Sequence, residues 1–137
     1  MKNNSIQFLL ISLFIASCGG GGGGSSLELT VQQFSSFSVD EDDNFQTVIS
    51  ASTNKPATIT YTISKPSANA NVTISNTGAL FYSPKPNYFG SDSFSITVLA
   101  TTDGQTGSYE SRTLNVNANV ISVNDPPTIV VNEDLSS

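Results

Sequence analysis

Residues 113–120 read Thr113-Leu114-Asn115-Val116-Asn117-Ala118-Asn119-Val120, and every second side chain is apolar. A period of two puts the apolar set on one face of an extended chain and the polar set on the other. A helix of the same residues would scatter them around its circumference. The stretch is therefore read as a strand with one buried face and one wet face.

The same reading extends outward along the chain. Phe94, Ile96 and Val98 alternate with Ser93, Ser95 and Thr97, and Ile59, Tyr61 and Ile63 alternate with Thr58, Thr60 and Thr62. Leu27, Leu29 and Val31 alternate with Glu28, Thr30 and Gln32. Shorter candidates lie at 47–51, 71–75 and 79–83. Asn54-Lys55-Pro56, Lys65-Pro66-Ser67, Asn76-Thr77-Gly78, Pro84-Lys85-Pro86-Asn87 and Asp103-Gly104 separate the runs with turn chemistry. About seven short strands in roughly 95 residues predict an all-β, antiparallel, two-sheet sandwich. Its core is expected from Phe45, Ile59, Tyr61, Ile63, Val72, Ile74, Leu80, Tyr82, Phe94, Ile96, Val98, Leu114 and Val116.

The first residues are of another kind. Lys2 precedes an apolar run over 6–15 that only Gln7 and Ser12 interrupt, and the small residues Ala16 and Ser17 come next. A charged start, a short apolar stretch and small residues at its end form an export signal. The stretch is too short for a spanning helix, which needs roughly 20 apolar residues. Ile15-Ala16-Ser17-Cys18 resembles the lipobox of bacterial lipoproteins. That resemblance implies cleavage after Ser17 and a diacylglyceryl thioether on Cys18, the chain's single cysteine. Residues 19–24 are all glycine, and Ser25 and Ser26 complete the tract. A flexible tether of this length has a root-mean-square span of roughly 15 Å. The expected organisation is a signal peptide over 1–17, a lipidated cysteine and linker over 18–26, a sandwich over 27–123, and a linker over 124–137.

Composition excludes more chemistry than the motifs include. The 137-residue chain carries a net charge of −6. Loss of Lys2 leaves four basic residues against eleven acidic ones, a net charge of −7. Such a surface repels a phosphate backbone, so nucleic acid is not an expected partner. There is no histidine, which removes the commonest general base and the commonest zinc ligand. A lone cysteine cannot form an internal disulfide. No nucleophile–base pair can be assembled, and the chain is not expected to be an enzyme.

Thr77-Gly78-Ala79-Leu80-Phe81-Tyr82-Ser83-Pro84 is followed by Asn87-Tyr88-Phe89-Gly90-Ser91-Asp92-Ser93-Phe94 and, later, by Val123-Asn124-Asp125-Pro126-Pro127. This ordered set resembles the bacterial cadherin-like, or bacterial Ig-like, tandem repeat, with Glu41-Asp42 as its early acidic pair. The resemblance covers residues 37–127 and implies an Ig/cadherin-like fold. It also implies a calcium ion at the junction between repeats, held by Glu41, Asp92, Asn124 and Asp125, with Asp42 and Asp103 in addition. Ser122 stands where animal cadherins have the first linker aspartate, and Asp92 lacks their mid-domain triplet. The implied site is therefore weak, around 10⁻⁴–10⁻³ M. The same acids also read as a solvated loop run, a turn acceptor and a linker shaper.

Val131-Asn132-Glu133-Asp134 echoes Val39-Asp40-Glu41-Asp42. The echo predicts the opening of a second repeat and hence a fragment or a truncated array. The functional expectation is a lipid-anchored structural or adhesive module of the cell envelope, at the outer membrane. Its expected partners are the membrane, neighbouring repeats and another cell-surface protein or glycan. The alternative is a glycan- or protein-binding sandwich without calcium.

Overall fold

The computed structural model describes residues 25–102 and 107–124. Its nine strands, in chain order, are β1 (Leu29–Val31), β2 (Ser36–Asp40), β3 (Phe45–Val48), β4 (Ala51–Thr53), β5 (Thr58–Lys65), β6 (Ala70–Ile74), β7 (Ala79–Pro84), β8 (Gly90–Thr101) and β9 (Tyr109–Ile121). The described residues contain no helix. Alternation is the reason: along β9 each of Leu114, Val116, Ala118 and Val120 is buried, while Asn115, Asn117 and Asn119 are exposed.

One layer has the order β2-β9-β8-β5 and the other contains β3-β7-β6, with β1 and β4 forming a two-stranded ladder. β8 and β9 pair antiparallel over twelve aligned positions, from Gly90–Val120 to Thr101–Tyr109. β3 and β4 are one run of chain that changes partner. The Ile49 N–H still donates to the Gly78 carbonyl at 2.9 Å, whereas the next carbonyl, of Ser50, accepts from Gln32 at 2.8 Å. The expected strand over 47–51 is thus divided at Ile49 and Ser50. The first expected strand, over 27–32, is observed as the shorter β1, which pairs with β4; after residues 32–35 the chain crosses to the other layer as β2. β2 was not among the expected strands, and its pairing with β9 is parallel rather than antiparallel.

The two layers meet through aromatic rings. Phe37 of β2 stacks on Phe45 of β3 at 4.0 Å between centroids and meets Tyr82 of β7 edge-on at 5.1 Å. Tyr82 in turn stacks on Phe94 of β8 at 5.9 Å. Each such pair adds about 0.5–1.5 kcal/mol beyond the area it buries. Leu80, Tyr82, Phe94, Ile96, Val98, Leu114 and Val116 are buried as expected. Phe45, Ile59, Tyr61, Ile63, Val72 and Ile74 are only half-buried. β5 and β6 lie at sheet edges, so their inward side chains lack a neighbour on one side. The deep core instead adds Leu27, Leu29, Val39, Ile49, Ala100, Ala118 and Val120.

The strand directions define two poles. β1 and β2 run toward the pole where β9 ends, so the chain arrives at one end of the sandwich and departs at the other. At the N-terminal pole, Asn54 donates its amide to the Ser26 carbonyl at 2.9 Å and accepts from the Glu28 N–H at 2.8 Å. At the C-terminal pole lie the β2–β3 turn, the start of β8 and the end of β9.

Candidate functional site

Asp92 begins the inward face of β8 and is 7% exposed. Its Oδ2 accepts from the Tyr82 hydroxyl at 2.8 Å and from the Ser67 hydroxyl. Its Oδ1 accepts from the Ser93 N–H at 2.9 Å. Ser67 Oγ accepts in turn from the Asn69 and Ala70 amides, at 3.0 and 2.8 Å. The β5–β6 loop is thereby held to β8 through one carboxylate. Burial, followed by the hydrogen bond to Asp92 and its negative charge, pushes the Tyr82 phenol above its ordinary value of 10.0. The spaced motif residues Tyr82 and Asp92 are two ends of one bond.

The intervening motif is loop chemistry. Asn87 sits at φ 59° and Gly90 at φ 118°, both in the left-handed region where glycine and asparagine cost least. Between them, the Tyr88 hydroxyl donates to the Ser91 carbonyl at 2.6 Å. Tyr88 packs against the core, while Phe89 is left 63% exposed.

Glu41 closes β2 at the C-terminal pole and is 7% exposed. Its Oε1 accepts from the Val123 N–H at 2.8 Å and from the Ser122 hydroxyl at 3.4 Å. Its own N–H donates to the Ile121 carbonyl at 2.9 Å. A carboxylate accepting a backbone N–H makes a bond roughly twice as strong as a neutral pair. Glu41 therefore fixes the direction in which the chain leaves β9. Asp42 is exposed in the adjoining turn, and Asn124 is exposed just beyond Val123.

Glu41, Asp42 and Asn124 thus share a pole, but Asp92 is not with them. Asp92 is level with Ala118, whereas Glu41 comes after Asp40, which is level with Ile121. Four residues along the strands and two strands across amount to roughly 15 Å. Calcium takes oxygens at about 2.3–2.6 Å, so one ion cannot reach both carboxylates. Cys18, Asp103 and Asp125 lie outside the described residues. Among the described residues, no group of three or more His, Cys, Asp or Glu is placed to hold a metal.

Two shallow, open depressions mark the outer face of the four-stranded layer. One of about 350 Å³ lies over Ser36, Ser38, Asn117 and Asn119. Another of about 370 Å³ lies over Lys65, Asn69, Ser93 and Asn117. Their walls combine hydroxyls, amides, the Lys65 ammonium and the Asp92 carboxylate with apolar surface from Phe37, Pro66 and the alanines. No helix among the described residues is long and apolar enough to cross a membrane.

A family model described as a bacterial Ig domain matches residues 24–117, well over half of the chain. The chain belongs to the bacterial Ig domain family. A comparison with curated proteins gave no significant match. Bacterial Ig domains are usually extracellular or surface-associated and are typically without enzymatic activity. The sandwich of this bacterial Ig domain agrees with that assignment, from β1 through most of β9.

Proposed function

We propose that this bacterial Ig domain is a non-catalytic structural and adhesive module of the cell envelope, anchored in the outer membrane through lipid on Cys18. The observation that carries the reading is the disposition of its two ends. The chain enters at one pole, where Asn54 grips Ser26 and Glu28, and leaves at the other, where Glu41 grips Val123. A module threaded in this way holds the segments on its two sides a full strand length apart. The glycines at 19–24 supply slack between a membrane and the first fixed residue. Lipoprotein processing supplies more than one acyl chain, which stable anchoring requires.

Mass spectrometry of the membrane-bound protein tests this reading. The expected species begins at Cys18 and carries acyl mass, and Cys18→Ser is expected to release the protein from the membrane fraction. A mature protein with an unmodified Cys18 would overturn it.

The calcium implied by the cadherin-like resemblance belongs, in this proposal, to the C-terminal pole. Glu41, Asp42 and Asn124 are its donors among the described residues, with Asp125 next in the chain. Glu41 Oε1 is already engaged and calcium takes six to eight oxygens, so the remaining ligands have to come from beyond Asn124. Asp92 is outside this set. Glycan binding draws less support. The strongly exposed aromatics Phe89 and Tyr109 flank opposite ends of β8. That strand is roughly 35–40 Å long, too far for one stacking platform.

A further inference from the structure

β5 reads almost the same in both directions. Thr58-Ile59-Thr60-Tyr61-Thr62-Ile63-Ser64 is a palindrome about Tyr61, with Ser64 standing opposite Thr58. Ile59, Tyr61 and Ile63 face inward and are half-buried, while Thr58, Thr60 and Thr62 are exposed on the outer face. β5 pairs with β8 on one side only, so its other side presents a row of backbone N–H and C=O groups.

Edge strands are usually kept short, charged, bulged or interrupted by proline, which discourages further pairing. The other edges here follow that rule: β1, β2, β3, β4 and β6 have five residues or fewer, and β2 ends in Asp40. β5 has eight, with neither charge nor proline from Thr58 to Ser64. Its one irregularity is the shift between Ile63 and Lys65, so the regular stretch coincides with the palindrome up to Ile63. The chain as a whole is acidic, yet β5 holds no acid. Its neighbour β8 has only Asp92, which is buried and bonded to Ser67 and Tyr82. An approaching copy therefore meets no free carboxylate on these two strands.

We propose that β5 is a self-pairing edge whose partner is a second copy of this chain, bound antiparallel about a two-fold axis through Tyr61. A two-fold contact uses one patch twice, and a palindromic strand meets that condition residue by residue. Tyr61 stands opposite Tyr61, Ile59 opposite Ile63, and Thr60 opposite Thr62. Aromatic, β-branched and threonine pairs are the ones that stabilise antiparallel ladders. The three inward side chains gain the neighbour that an edge denies them.

So short a ladder falls below a standard interface of roughly 1,200–2,000 Å², which makes the pairing weak and reversible. Many copies on one surface offset that weakness. The axis also reverses the poles, so the N-terminal pole of one copy lies beside the C-terminal pole of the other. Resting on the anchored, adhesive reading above, this arrangement joins copies on facing membranes.

Sedimentation of the full chain carrying Cys18→Ser tests the pairing without lipid or a free thiol, so its outcome is separate from that of the anchor. The apparent mass should double as concentration rises from about 1 μM to about 1 mM. Thr60→Lys with Thr62→Lys sets like charges opposite each other twice and should raise the Kd about tenfold or more. Thr60→Lys with Thr62→Glu sets opposite charges at the same places and should restore pairing. Both positions are exposed, so the melting temperature is expected to stay unchanged. Amide exchange supplies a reading free of changes in β5: alternate amides over 58–63 should slow as concentration rises. A chain that stays monomeric at about 1 mM with exchange independent of concentration would overturn the proposal. So would a double-lysine variant that pairs as before, or a lysine–glutamate variant that pairs no better than the double-lysine one.

Discussion

Asp92 shows why an acidic residue in a motif has two readings. A carboxylate among small polar residues is as suitable for a cation as for hydroxyl and amide donors, and sequence alone does not say which group reaches it. In the fold its partners are Ser67, Tyr82 and Ser93. Asp92→Ala leaves two hydroxyls without an acceptor and is expected to cost about 2–3 kcal/mol in urea denaturation. Asp92→Asn keeps an acceptor and should cost about 1 kcal/mol. Tyr82 supplies the matching test in pH. Its folded-state pKa is raised, so its contribution to stability is complete below the ordinary value of 10.0 and is lost as pH rises beyond it. Stability should fall by about 1.4 kcal/mol per pH unit in that range from this one group. Tyr82→Phe should flatten that alkaline slope, which melting curves between pH 8 and about 11 would read. Glu41 was visible as an early acid, but its partner lies 82 residues away, and no local pattern announces such a bond.

At the level of elements, the long strands were legible because their alternation persists. Alternation over 93–98 and 113–120 marks the middle of β8 and the second half of β9, strands that run in full for twelve and thirteen residues. Short strands carry less information. Ser36-Phe37-Ser38-Val39-Asp40 alternates as well, but only over five residues beside an acidic run, and its parallel partner is about eighty positions away. The break between β3 and β4 was invisible for a related reason: it arises from a change of neighbour, from β7 to β1, and not from any breaker residue. Gly78 is the opposite case, a turn residue whose necessity can be stated. It holds φ 81°, and a Cβ there would collide with the Ile49 carbonyl oxygen. Gly78→Ala is expected to destabilise by about 2 kcal/mol or more, through strain and loss of the Ile49–Gly78 bond. Denaturant titration should show the loss in the midpoint with little change in slope.

On the scale of the molecule, the layer order was not readable, because it depends on which strand fills the middle of a sheet. β9 is the last strand among the described residues yet sits between β2 and β8. β2 has no other sheet neighbour, and the inward faces of Leu114, Val116, Ala118 and Val120 form one side of the core. A chain ending at residue 108 should therefore fail to fold altogether rather than lose one edge. Circular dichroism and limited proteolysis of that truncation should report an unfolded polypeptide.

The central place of β9 also fixes the order of assembly. Nearly the whole domain must emerge from the ribosome before its sheets can close, since the wedge that seats β2 beside β8 is made last. Until then β2 has no strand beside it and β8 has only β5, so the core face of the four-stranded layer stays open to solvent.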